Sequence, residues 1–139
     1  MTHRRASQGG HPVSPMRPRC AAIVLAFLLQ ACSPASAPVD GAAAFKKCAS
    51  CHAVGPHAAG NFGPQLNALF GRRAGSTADY AYSDAMKASG IVWDDATLAA
   101  YLRDPHKVVP GTKMRFWGIS NEQEISALLS HLRSYQDVH

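Results

Sequence analysis

The chain has 139 residues, 47% of them hydrophobic, which leaves room for one small domain and a leader segment. Its formal charge of +5 is misleading, because residues 1 to 31 hold Arg4, Arg5, Arg17 and Arg19 and no acid. The remainder carries 10 basic against 9 acidic residues, and so small an excess excludes the broad cationic field of a nucleic-acid-binding protein.

Residues 1 to 15 suit neither a leader nor a domain. Met16-Arg17-Pro18-Arg19 makes a compact positive start, so translation beginning at Met16 is an alternative to Met1. The run from Cys20 to Ala31 is apolar but only about a dozen residues long, against the roughly 20 that a membrane-spanning helix needs. It has the length of a signal-peptide core. Leu29-Gln30-Ala31-Cys32 is similar to a bacterial lipobox, in which the cysteine receives a lipid; cleavage after Ala35-Ser36-Ala37 is the alternative. The expected division is a signal peptide over 1–31, a Pro/Ala/Ser-rich tether over 32–40 and a folded domain over 41–136.

Asp40 is placed to cap a first helix running to about Lys47, with Phe45 on its apolar side. Then comes Cys48-Ala49-Ser50-Cys51-His52. C-x-x-C-H is the attachment pattern of a c-type haem, in which two thiols form thioethers to the porphyrin and the adjoining imidazole ligates the iron. A thioredoxin-like redox pair needs a βαβ setting that this chain does not offer, and a structural zinc site needs a second ligand pair that does not follow. With Cys20 in the leader and Cys32 as the lipid candidate, no cysteine pair is left for a disulfide.

Short helical turns are expected near Leu66–Phe70 and Ser83–Ala88, with Gly71 and Gly90 as stops. A further helix starts after Asp94, shows Leu98, Tyr101 and Leu102 on one face, and ends before Pro105. Ser120 with Gln123 has the pattern of a capping box. Behind it Ile125, Leu128, Leu129 and Leu132 form one stripe at helical spacing. No run alternates with period two, so the fold class is all-α.

The sixth iron position is either open or filled by Met86, Met114 or one of His57, His106, His131 and His139. Met86 suits core filling. Met114 lies in Val109-Pro110-Gly111-Thr112-Lys113-Met114, where Pro110-Gly111 holds a loop open and the thioether is free to project from it. Met114 is therefore the preferred donor, with His57 the nearest competitor. Histidine with methionine closes both axial faces, which suits electron transfer.

From Gly41 to Tyr135 the chain resembles class I cytochrome c, in particular the mitochondrial and bacterial cytochrome c2-like branch. The resemblance rests on Gly41-x-x-x-Phe45-x-x-Cys48-x-x-Cys51-His52, Gly63-Pro64-x-Leu66, Phe70-Gly71-Arg72, Tyr80-Ala81-Tyr82-Ser83 and Gly90-Ile91-Val92-Trp93. It continues through Tyr101-Leu102, Pro110-Gly111-Thr112-Lys113-Met114 and Gly118-Ile119. The 62 positions from His52 to Met114 match the family's ligand spacing without insertion or deletion.

The resemblance implies one covalent haem c, loops wrapped around it, and first and last helices crossing where Gly41 allows close approach. It implies that the Pro64 carbonyl orients His52, that Tyr82 and Trp93 bond a buried propionate, and that Arg72 offsets its charge. Tyr101 is placed near the Met114 sulfur and Thr112 in the polar network. Two departures stand out. Met86 replaces a polar residue beside the propionates, and His131 stands near the usual aromatic crossing position, so a weaker helix contact is expected there. Lys47, Lys107, Lys113 and Arg115 match partner-docking positions.

The function implied is a monomeric, non-enzymatic one-electron carrier on the periplasmic side, held to a membrane by lipid on Cys32. Its redox partners would be a quinol-oxidising complex and a terminal oxidase or reductase; nucleic acid is not a partner. A haem subunit or sensor attached to a larger redox enzyme, or a weak peroxidase, is the alternative.

Overall fold

The computed structural model describes residues 37–138 together with Gly10. The proposed leader, Met16, Cys20, Cys32 and the start of the tether lie outside the described residues, as does His139. Among the described residues there are five helices: α1 Gly41–Phe45, α2 Asp84–Ala88, α3 Asp95–Arg103, α4 Pro105–Val108 and α5 Glu122–Arg133. They contain no strand, and extended pairing is limited to a single bridge between Arg73 and Val92. The class is all-α, and none of these helices is long and apolar enough to cross a membrane.

Asp40 caps α1 as expected, its carboxylate accepting the Ala42 N–H. Regular helix stops earlier than the spacing predicted. From Lys46 to His52 the chain continues as turns, in which Cys48 and Ala49 both donate to the Phe45 carbonyl and His52 donates to that of Cys48. That tightening carries Cys48 and Cys51 toward one wall of the interior. Ser83 caps α2 by accepting the Met86 N–H. Asp94 and Thr97 form a reciprocal capping box at α3. Pro105 does end α3, but it also opens α4, because a first-turn position has no use for the N–H that proline lacks.

Two expectations need correction. The cap of the last helix is Asn121, whose side-chain oxygen accepts from both Gln123 and Glu124, and no box forms between Ser120 and Gln123. The register is fixed upstream, where buried Ile119 donates to the Leu102 carbonyl and leaves Ser120 exposed in the connector. The stretch Leu66–Phe70 forms no helix either. Buried Asn67 exchanges hydrogen bonds with both backbone groups of Gly55, and Arg72 takes the carbonyls of Gln65 and Asn67. The segment's own backbone is satisfied from elsewhere, Leu66 and Ala68 donating to the Ala53 and Tyr135 carbonyls and Phe70 exchanging bonds with the Gln136 side-chain amide, so the loop has no need of a helical ladder.

The core centres on the α5 stripe: Ile125, Leu128, Leu129 and Leu132 are all buried, Leu128 completely. Helix α5 crosses α1 at Gly41, where an added Cβ would stand 2.3 Å from the Ala127 carbonyl oxygen and 2.8 Å from the His131 Cβ. The crossing keeps ring packing despite the histidine. The His131 imidazole lies 5.4 Å from the Phe45 ring and 5.3 Å from that of Tyr135.

Candidate haem site

Between α1, α3, α5 and the loops lies a cavity of about 410 Å³, within the range of about 300–1,000 Å³ typical of cofactor pockets. Its apolar walls include Leu69, Trp93, Leu98, Leu128 and Leu132. Exposed Lys47, Cys51, Phe62, Lys113 and Arg115 also line it, so it reaches the surface.

Cys48, buried, and Cys51, exposed, both border the cavity, and both are free thiols. Burial raises the Cys48 pKa, an effect that Lys47 opposes. A neutral thiol is the form in which this side chain rests. His52 borders the same space, with Nδ1 2.8 Å from the Pro64 carbonyl oxygen. A carbonyl only accepts, so Nδ1 carries the hydrogen and Nε2 keeps its lone pair. Burial also lowers the His52 pKa, outweighing the Pro64 bond and keeping the ring neutral and able to ligate. Gly63 makes the fit possible: a Cβ there would lie 2.5 to 2.9 Å from three atoms of the imidazole.

Met114 lines the cavity, half-buried, on the loop after α4. The loop is held by Thr112, whose hydroxyl meets the Tyr101 hydroxyl at 2.7 Å and accepts the Met114 N–H at 3.2 Å. Of the other sixth-ligand candidates, Met86 is buried against the cavity, whereas His57, His106 and His131 do not line it.

Arg72, Tyr82 and Trp93 line one region, Trp93 packed 5.1 Å from the Tyr101 ring. The Tyr82 hydroxyl has a protein partner, Thr77, at 2.8 Å. Arg72 contacts two backbone carbonyls and forms no ion pair among the described residues. Burial lowers its pKa while Tyr82 and Asp79 raise it, and the guanidinium remains a positive charge held beside the cavity. Burial raises the Tyr82 and Tyr101 pKa values, so both stay protonated donors.

The docking candidates differ in what holds them. Lys47 is paired with Glu124 at 2.5 Å, which joins the turn after α1 to α5. Lys113 donates to the Ala81 carbonyl at 2.7 Å. Arg115 is exposed at the cavity rim, and Lys107 is exposed on α4 away from it. Sequence reasoning missed Asn67, Gln65 and Thr77, which brace the arginine and tyrosine. Loop polar residues carry no periodicity, and nothing marks them before the loop is folded.

Two thiols, a neutral imidazole with a free nitrogen, a thioether and an arginine around an apolar space fit a haem linked through Cys48 and Cys51. A family model described as "Cytochrome c" matches residues 38–136. The chain is 50% identical over 95 residues to a cytochrome c-550 of Bradyrhizobium diazoefficiens, covering 68% of this chain and 70% of the relative. It is 52% identical over 95 residues to a cytochrome c2 of Rhodoplanes tepidamans, covering 68% and 89%. Among solved structures, cytochrome cH from Methylobacterium extorquens superposes with a TM-score of 0.64 at 43% identity, covering 68% of this chain and 94% of that one.

Proposed function

The chain belongs to the cytochrome c family and is a single-haem electron carrier with one covalent haem c, and on that premise we propose the following division of labour. Cys48 and Cys51 would provide the thioether links, and His52 and Met114 would be the donors to the iron. Bound there, the haem iron accepts and releases one electron. The Pro64 carbonyl holds His52 in the tautomer with Nε2 free, and Thr112 with Tyr101 holds the Met114 loop at the cavity. Donor side chains braced in this way would move little as an electron comes and goes. Arg72 balances propionate charge, with Tyr82 and Trp93 nearby.

The observation that carries this reading is that both thiols, His52 with its Nδ1 engaged by Pro64, and Met114 line one cavity. A peroxidase needs a distal acid–base group over an open iron; His52 is the one histidine, and no Asp or Glu appears, among the described lining residues. The carrier works on the periplasmic side between a quinol-oxidising complex and a terminal oxidase or reductase. Lipid on Cys32 ties it to the membrane through residues 32–40.

Visible spectra of the exported protein test the assignment. Colour must survive acid-acetone extraction, and the weak long-wavelength sulfur-to-iron band of the ferric form must vanish in Met114→Ala. Retention of that band in the variant overturns Met114. For the anchor, Cys32→Ala must release the protein into the soluble fraction, and unchanged membrane association removes the lipid from the account.

A further inference from the structure

Trp117 is fully exposed (relative accessibility 103%), three residues after Met114 and two after the rim residue Arg115. It does not line the cavity, so nothing that fills the cavity accounts for its exposure. Nor does a loose loop account for it. Next to it, Gly118 adopts φ +91°, and a Cβ there would fall 2.0 Å from the Arg103 carbonyl oxygen. Buried Ile119 then donates to the Leu102 carbonyl at 2.9 Å. On the other side Phe116 packs half-buried against the core. The indole is therefore presented to solvent from a segment pinned at both ends.

From this we infer that Trp117 is the apolar anchor of the docking surface, taken by a redox-protein partner whose face sets carboxylates around an apolar recess. The inference rests on the electron-carrier reading above and adds the residue that fixes the partner's position. Charge complementarity argues for that occupant. Arg115 and Lys113 stand two and four positions before Trp117 in the chain and take part in no ion pair among the described residues, whereas the Glu122 carboxylate is held by Arg103. An exposed tryptophan on one stretch of chain with two cations has the composition of an interface hot spot, where an aromatic enters a pocket and a polar rim surrounds it. Because the backbone is fixed in advance, docking orders only the side chain.

The test uses holoprotein and a purified bacterial haem–copper cytochrome c oxidase, with ferricyanide oxidation as the docking-free control. Trp117→Ala should raise KM about thirtyfold, the smaller end of a hot-spot effect, with kcat, the visible spectrum and the ferricyanide rate unchanged. Trp117→Phe should recover most of the loss. The ratio of the two KM values should stay constant as salt rises, since burial of an indole is not screened, whereas loss of Arg115 should matter less at high salt. An unchanged KM in Trp117→Ala overturns the inference alone. A wild-type protein that exchanges electrons with ferricyanide but not with the oxidase overturns the docking reading and this inference together. Loss of binding to phosphatidylglycerol vesicles in Trp117→Ala, with oxidase kinetics intact, assigns the indole to a lipid surface instead and also overturns it.

Discussion

The imidazole of His52 lies directly against the α-carbon of Gly63, with room for a hydrogen and none for a methyl group. The neighbouring Pro64 carbonyl then takes the His52 Nδ1–H, so two consecutive residues set both the position and the tautomer of the ring. Gly63→Ala should displace the imidazole, costing about 1–3 kcal/mol as overpacking does, and should shift the midpoint potential. Redox titration with urea unfolding of the holoprotein checks this; an unmoved potential would show that the ring has slack.

Gly41 does for the helix crossing what Gly63 does for the ligand. Backbone and side-chain atoms of α5 occupy the space where a Cβ would go. Gly41→Val should destabilise the holoprotein by at least about 2 kcal/mol, since the helices must part and surrounding contacts are lost. Chemical denaturation followed by far-UV circular dichroism reads the change. His131→Phe at the same crossing should be tolerated, because an aromatic ring already occupies that place.

The Tyr101–Thr112 pair is buried and joined at 2.7 Å. Thr112→Val strands the phenol and should cost about 1–3 kcal/mol, the penalty for an unsatisfied buried group. Tyr101→Phe in the same background should recover part of it. Loss of the sulfur-to-iron band at a lower pH or temperature than in wild type would report the Met114 loop loosening; equal behaviour would separate the pair from the ligand.

Asp94 sits well placed to reveal one part of the acid sensitivity. Hydrogen bonds from the Thr97 backbone and then its hydroxyl hold the Asp94 pKa below the ordinary 3.8. Between the two values the unfolded chain binds the extra proton, so this contribution is present above about pH 4 and lost as pH falls through the folded value. Asp94→Asn keeps a capping oxygen but does not titrate there. Its stability should fall less steeply than wild type below pH 4 in acid titrations monitored by circular dichroism, and identical slopes would remove Asp94 from the account.

Removing the covalent links tests what the cavity contributes to folding. Leu98, Tyr101 and Leu102 of α3 and Leu128 and Leu132 of α5 border the cavity, and a domain of this size buries only about 60–65% of its unfolded surface. Cys48→Ala/Cys51→Ala should be largely unfolded at neutral pH; a native-like far-UV spectrum would contradict this.

Much of the site was legible before folding. The C-x-x-C-H spacing, the stripe of Ile125, Leu128, Leu129 and Leu132, and the stop at Pro105 each depend on residues close in sequence, so the chain displays them as patterns. The cap of α5 was misplaced by one residue because Ser120 and Asn121 are both good caps, and the choice fell to a tertiary contact between Ile119 and Leu102. The short helical turn expected near Leu66–Phe70 was absent for a similar reason: Ala53, Tyr135 and Gln136 come from outside the segment to satisfy its backbone. Lys47 was expected to be a docking charge, and its pairing with Glu124 from α5 depends on a crossing that local reading does not supply.

The sequence by itself displayed the C-x-x-C-H motif that suits one covalent haem and the helices that have an apolar face to bury. Tertiary structure decided which charges remain available, which polar loop side chains brace the site, and that Trp117 projects from a segment clamped to α3. The reason is that ligand spacing and amphipathic stripes are properties of neighbours along a chain. Accessibility and buried hydrogen bonding are set by what distant segments bring to the same place, and they exist only once those segments have met.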